Sequence, residues 1–413
     1  MPNRYTRLLK NTGIVFVGNV GSKLLLFLMF PFYTRHLSPS EYGISDLIVA
    51  YSSMILGIVT CQIQDAVFVF PKGESKDRQF SYFTSGLIFL CGAYAILVCL
   101  ALLLKVALPS GSFIRDYCGL MAAYLILAGF SQYFQQFCRA IDCMYSYAFS
   151  GLGLTVIVVG LSLWLIPRFP SGRMLVVVQC LGFVGGCVIA VASARLWKYL
   201  RFRRVAWDDL VTLLKYALPL VPTAVMWWML SSLNRPFLER YCSLAAVGLY
   251  AAALKLPSLF NVAWGVIGNA WQVSVLEEYR KTNFARYFWS FFAYLALGVL
   301  AVVIVLSFVS PFVMRYLVSV EFYSVHRYVP VLSVGAGLSM LAGVFGALFA
   351  ASKQSRYFLY SSLWAVGSII ALNFLLIPKF GIWGAASANM LAMGIELAVR
   401  VYYGCQILRS LSK

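Results

Sequence analysis

The sequence predicts an all-α polytopic membrane protein of about 12 transmembrane helices, arranged as two six-helix bundles related by pseudo-twofold symmetry. Three observations predict it. Of 413 residues, 62% are hydrophobic and only 11% are charged, whereas an average soluble domain carries about 25% charged residues. The mean hydropathy is correspondingly high, at +0.83. Apolar runs long enough to cross a hydrocarbon core of about 30 Å, which takes about 20 helical residues, recur along the whole chain. Finally, short motifs of the first half recur in the second at nearly constant spacing.

In chain order the spans lie near 12–33, 43–70, 81–104, 115–138, 146–166, 173–196, 216–238, 245–274, 285–309, 326–351, 357–377 and 382–406. The first run follows a polar start and has no A-x-A-like cleavage site, so it is expected to remain as a helix. Several runs exceed the minimum length, which predicts tilting or kinking. Pro31, Pro219, Pro222, Pro257 and Pro330 are the candidate kink positions, because proline removes a helical hydrogen bond and clashes with the preceding turn. Residues 1–200 then form an N-terminal six-helix lobe, 201–215 a basic cytoplasmic linker, and 216–413 a C-terminal six-helix lobe.

The repeat supports that division. Pro31-Phe32-x-x-Arg35 recurs as Pro236-Phe237-x-x-Arg240, and Gly43 and Gly248 follow the two prolines at the same distance, for an offset of 205 residues. Leu165-Ile166-Pro167-Arg168-Phe169 recurs as Leu376-Ile377-Pro378-Lys379-Phe380 at an offset of 211. With six spans in each half, both copies start on the same side, and their axis runs along the membrane normal.

Basic residues in short loops set the orientation. With both termini in the cytoplasm, lysines and arginines favour that side by about two to one. The cluster Arg195, Lys198, Arg201, Arg203 and Arg204 then faces anionic headgroups, each charge contributing about 1 kcal/mol. The net charge of +19 is thereby read as membrane topology and gives no indication of nucleic acid.

Charges inside apolar runs carry the functional reading. A lysine at mid-bilayer costs about 2.5–3.5 kcal/mol on insertion scales and is tolerated where it faces a bundle interior or wet cavity. Lys23 and Lys255 fit that description, one in each half, with Arg235 near the end of its span. Cations around one cavity attract an anion strongly at low dielectric. Asp65, Asn234, Asn261, Trp271 and Gln272 are further cavity candidates. Asp46, Glu396 and Arg400 are structural or coupling charges, and the spacing of Glu396 and Arg400 lets them pair on one helix face.

The ten cysteines are scattered without metal-ligand spacing. Neither a GxxxxGK[ST] phosphate loop nor an HExxH or GxSxG motif occurs, so nothing assembles a nucleotide site, a metal site or a catalytic constellation. No enzyme activity and no cofactor is expected.

Several stretches resemble the polysaccharide or O-antigen flippases of the multidrug/oligosaccharidyl-lipid/polysaccharide exporter superfamily. They are Leu37-Ser38-Pro39-Ser40-Glu41-Tyr42-Gly43, Leu218-Pro219-Leu220-Val221-Pro222, Asn234-Arg235, Val247-Gly248-Leu249-Tyr250, Lys255-Leu256-Pro257, Ala270-Trp271-Gln272 and Ile377-Pro378-Lys379-Phe380-Gly381. The chain departs at Asn234, where members often carry an acid. The resemblance covers nearly the whole chain. It implies alternating access around a cavity between two lobes. The expected substrate is a lipid-linked, undecaprenyl-diphosphate-type oligosaccharide, moved across the bacterial inner membrane for O-antigen (lipopolysaccharide), capsule or exopolysaccharide synthesis. Coupling to H+ or Na+, contact with membrane lipids and cooperation with polysaccharide polymerase machinery are part of the same expectation. The alternatives are a related exporter of drugs or of the peptidoglycan lipid precursor and, more distantly, a membrane polymerase or ligase of the same pathway.

Overall fold

A computed structural model describes residues 21–201, 205–279 and 281–411. Residues 1–20, with the start of the first expected span, and Arg203 and Arg204 of the basic cluster lie outside the described residues. The described chain is helical almost throughout. After helical residues 21–28 come α1 (Phe30–His36), α2 (Pro39–Val59), α3 (Ile63–Val69), α4 (Lys76–Ala107), α5 (Phe113–Ala140), α6 (Met144–Leu165), α7 (Gly172–Ala194), α8 (Trp207–Ala217) and α9 (Val221–Ser232). They are followed by α10 (Asn234–Tyr241), α11 (Leu244–Ala253), α12 (Leu259–Glu278), α13 (Phe284–Leu317), α14 (Val329–Ala351), α15 (Arg356–Phe380) and α16 (Ile382–Leu411).

Among the described residues, ten helices are long and apolar enough to cross a membrane. Two of the twelve expected spans are not in that set. One is 12–33, which is only partly described. The other is 245–274, expected as one helix and found as α11 and α12 with turns at 254–258 between them. Pro257 sits in this break and cannot donate to the carbonyl a turn earlier. The expected span 43–70 is also broken, into α2 and α3, with Cys61 and Gln62 left-handed at φ 47° and 56°. No proline marks that break. Thr60 Oγ1 donates to Leu56 O at 2.8 Å, and such side-chain bonding to the preceding turn competes with the helical ladder.

The chain divides into two compact units. Unit 1 takes the chain up to Leu37 and Ile44–Val225; unit 2 takes Ser38–Gly43 and Met226–Lys413. Within unit 1, α7 packs along α6 and α5, and α3 lies against α5. The interhelical approach is close because α7 offers Gly182 to Val158 and Gly186 to Leu154 and Ser150 of α6, the small-residue packing common in membranes. The apolar core gathers Leu56, Ile63, Phe83, Tyr133 and Phe137, all buried. The amphipathic α8 closes this end. Leu210 and Leu213 enter the core, while Asp209 accepts from the Ser81 hydroxyl and lies 3.6 Å from the Arg78 guanidinium. Within unit 2, α16 packs along α15 and α14, as α7 does along α6 and α5. Its aromatic core includes Trp271, Phe284, Phe288 and Phe345.

The repeat is visible in local structure. A one-residue interruption at Met29 precedes α1, and one at Leu233 precedes α10; each new helix carries its proline in the first turn, Pro31 or Pro236. Each then stops, and a serine caps the next helix. Ser38 Oγ accepts from Glu41 N at 3.3 Å, and Ser243 Oγ accepts from Ala246 N at 3.2 Å. Ser38 and Ser243 stand at the same 205-residue offset. N-terminal capping by serine is worth about 1 kcal/mol, so both copies retain the device that starts the next helix. The second motif ends α6 and α15, with Ile166 and Ile377 fully buried ahead of Pro167 and Pro378.

Candidate functional site

In unit 2 the break between α11 and α12 places a cation at the head of a polar helix face. Ala251–Ala253 are buried, and the chain then passes through turns in which Lys255 N donates to Ala252 O at 3.1 Å and Ser258 Oγ donates to Lys255 O at 2.6 Å. Lys255 is half-buried and is not without a partner. From there α12 has two distinct faces. Phe260, Trp271 and Val275 are buried, with Trp264 and Ile267 partly so on the same stripe. Asn261, Gly265, Asn269 and Gln272 are exposed, at steps of four, four and three residues, which is one helix face. Three carboxamides on one face of a membrane helix are costly unless water or a polar ligand meets them. Asn269 meets part of that need on its own helix, donating to Gly265 O at 2.7 Å, and Val266 and Val273 are exposed beside the stripe.

The sequence named Asn261, Gln272 and Lys255 here and missed Asn269; the four-four-three spacing is the signal that identifies it. Two other candidates are corrected. Trp271, expected to line the cavity, is 2% exposed. Its indole N–H donates to Val344 O at 3.1 Å, and its ring stacks on Phe291 at 3.8 Å. It anchors α12 to α14. Asn234, also expected in the cavity, is 2% exposed. Its amide donates to Tyr250 Oη at 2.6 Å and accepts from Asn373 Nδ2 at 2.8 Å. This buried carboxamide network joins α10, α11 and α15. The adjacent Arg235 is half-buried, and its guanidinium donates to Ser231 O at 2.9 Å.

Glu396 and Arg400 pair as their spacing predicted. The guanidinium also donates to Ser361 Oγ at 3.1 Å and Ala342 O at 2.9 Å, and stands 4.5 Å from the Phe358 ring. The pair thus links α14, α15 and α16.

In unit 1, Lys23 is exposed on helical residues 21–28, and Asp46 is half-buried in α2 with a partner. Asp65 is half-buried in the first turn of α3 and feels the positive charge of Arg139 on α5. Among the described residues its carboxylate makes no side-chain hydrogen bond or ion pair. No group of three or more histidine, cysteine, aspartate or glutamate side chains gathers as a metal site among the described residues.

Comparison with known proteins agrees with this architecture. Residues 8–271 match the family described as "Polysaccharide biosynthesis protein". No curated protein matches the chain. An inward-facing multidrug resistance transporter of the MATE family, in the MOP superfamily, superposes with a TM-score of 0.77. It is 13% identical over 94% of this chain and 95% of its own. The lipid II flippase MurJ in an inward closed conformation gives 0.69 at 12% identity, over 97% of this chain and 90% of its own. A mutant of the Vibrio cholerae MATE transporter VcmN gives 0.60 at 14%, over 98% and 97%. The fold is thus that of multi-pass transporters of the MOP superfamily, and the match across well over half its length makes this chain a member of the polysaccharide biosynthesis protein family.

Proposed function

We propose that this protein flips a lipid-linked oligosaccharide of the undecaprenyl-diphosphate type across the bacterial inner membrane by alternating access, supplying O-antigen, capsule or exopolysaccharide synthesis. The observation that carries this reading is the α11–α12 break. A half-buried lysine there heads a face of three exposed carboxamides on a largely apolar helix. Discontinuous helices supply substrate sites in many transporters. A lysine suits a diphosphate, and uncharged amides suit the hydroxyls of sugars. Family membership points to a polysaccharide pathway, and the flippase among the similar folds acts on lipid II, itself a lipid-linked molecule. Lys23 and Arg235 belong to the same proposed cation set, H+ or Na+ gradients are the proposed driving force, and the polymerase machinery consumes the product.

Lys255→Ala is expected to abolish surface polysaccharide in a strain lacking the native copy while the protein still inserts. Lys255→Arg retains part of the activity, because charge is kept and geometry changes. Polysaccharide gels together with membrane immunoblots read both quantities. Full complementation by Lys255→Ala at native expression would sink the lysine's role in substrate binding.

The proposed orientation has both termini and the 201–215 segment in the cytoplasm. A single cysteine at Trp207, which is 74% exposed, should then resist an impermeant thiol reagent in intact cells and react in inverted vesicles. Labelling in intact cells would reverse the topology.

A further inference from the structure

Unit 1 holds a polar cavity that none of the expected site residues lines. At the α2–α3 break a cavity of about 180 Å³ is lined by Ser53, Gly57, Gln62, Gln64 and Gln132, among others. Its polar groups are a hydroxyl and three carboxamides. Gln64 Nε2 donates to Gln62 Oε1 at 2.7 Å, which fixes Gln62. A Cβ on Gly57 would stand 3.3 Å from Gln62 Nε2, so the glycine leaves room for that amide. Ser53 and Gln132 are exposed on the two walls. Gln62 holds this position with a left-handed backbone, a conformation of about 1–3 kcal/mol strain that concentrates at binding and switch sites.

About two helical turns along α5 from Gln132 of this neutral pocket lies a cationic group. Gln132, Gln136 and Arg139 follow one another along one face of α5, with Gln132 and Arg139 about 10 Å apart along the axis at 1.5 Å per residue. Arg139 donates to Gln136 Oε1 at 2.9 Å. Its guanidinium lies over the Phe68 ring at 4.3 Å and beside Tyr147 at 5.3 Å, and the Lys72 ammonium lies over the same Phe68 ring at 5.8 Å. Apart from the Arg139 N–H that Gln136 accepts, aromatic stacking holds both cations without consuming their hydrogen-bond donors. The cleft therefore presents uncharged donors and acceptors at one end and arginine N–H groups at the other.

We propose that this cleft is a glycosyl-phosphate subsite: the cavity takes one neutral sugar ring, and Arg139 takes the phosphate attached to it. The proposal rests on the flippase reading above and adds that unit 1 recognises the sugar next to the phosphate. Charge-neutral lining favours a hydroxyl-rich ligand over an ion, and guanidinium is suited to phosphate oxygens. Asp65, beside Arg139, sets a limit on how much negative charge this end accepts, which favours one bridging phosphate group over a free multivalent anion.

The test measures binding to the full chain in lipid nanodiscs. The probes are polyprenyl diphosphate and the same lipid carrying one glucose, galactose or N-acetylglucosamine. Wild type should bind at least one glycosylated lipid about tenfold more tightly than the bare diphosphate, the worth of one or two net hydrogen bonds. Ser53→Ala with Gln132→Leu, both at exposed positions, should erase that increment and leave diphosphate binding in place. Gln62→Asn, which tolerates the left-handed backbone but shortens the reach, should reduce it. Arg139→Gln should weaken all the lipids alike. Lys255→Ala should leave the sugar increment intact. A wild type that binds no polyprenyl diphosphate overturns the flippase reading and this proposal with it. A wild type without a sugar increment, or glutamine variants that keep it, overturns the subsite alone.

Discussion

Arg400→Ala is expected to destabilise the protein by about 3–5 kcal/mol, the usual cost of leaving one partner of a buried ion pair behind. The side chains of Arg400 and Glu396 are 6% and 7% exposed. Removing the guanidinium strands the Glu396 carboxylate and also leaves Ser361 Oγ and Ala342 O without the donors that reach them now. Each of those losses falls on a different helix, so α14, α15 and α16 loosen together. Retention time and thermal midpoint of the detergent-solubilised protein read the effect. The paired replacement Glu396→Leu with Arg400→Met should recover most of the loss, because neither charge remains to be desolvated. If Arg400→Ala is as stable as wild type, the pair does not hold these helices together. If Glu396→Gln is stable but transports nothing, the carboxylate serves coupling.

The ion pair was legible because spacing of four along a helix is enough to place two side chains together. The same local logic made the repeat legible at its proline, arginine and glycine positions, whereas the serines at equal offset that cap the following helices emerge from the structure. It failed where a residue's neighbours lie far away in sequence. Asn234 and Trp271 are polar-capable residues in apolar spans, and both read as cavity residues. Which face they occupy is decided by Asn373, Tyr250 and Val344, which no local pattern reveals. Helix breaks divided in the same way. Pro257 announced one break, and Pro31 lies just past another. Pro330 instead opens α14 in its first turn, where its missing N–H costs nothing. The α2–α3 break carries no proline, so the local sequence reads as continuous helix. Gln62 and Gln64 lie far in sequence from Gln132, and only the break brings the three to one cavity.

Gly43→Val and Gly248→Val are each expected to prevent folding. Both glycines lie at a crossing in unit 2 where α2 and α11 meet backbone to backbone. A Cβ at Gly43 would overlap the Leu244 carbonyl and stand 2.8 Å from Gly248 N; one at Gly248 would overlap the Pro39 carbonyl and stand 2.9 Å from Gly43 N. The contact is reciprocal: Pro39 and Leu244 are related by the same 205-residue offset as the two glycines. Overpacking against side chains that can move costs about 1–3 kcal/mol. Here the obstacles are carbonyls at helix starts, positioned by Ser38 and Ser243, so the cost should exceed that range. Accommodation would need the helices to separate, which would pull Tyr42 away from Phe322, now 5.9 Å from it ring to ring. Gly43→Ala combined with Gly248→Ala should be worse than either alone, since the two added methyls cannot fit by sliding in one direction. Gly298→Ala is the control, because a Cβ there meets nothing within 4 Å. Fluorescence-detected size exclusion of tagged variants measures the folded yield. Wild-type yield from Gly43→Val would mean that the crossing opens easily and is not a fixed point of the fold.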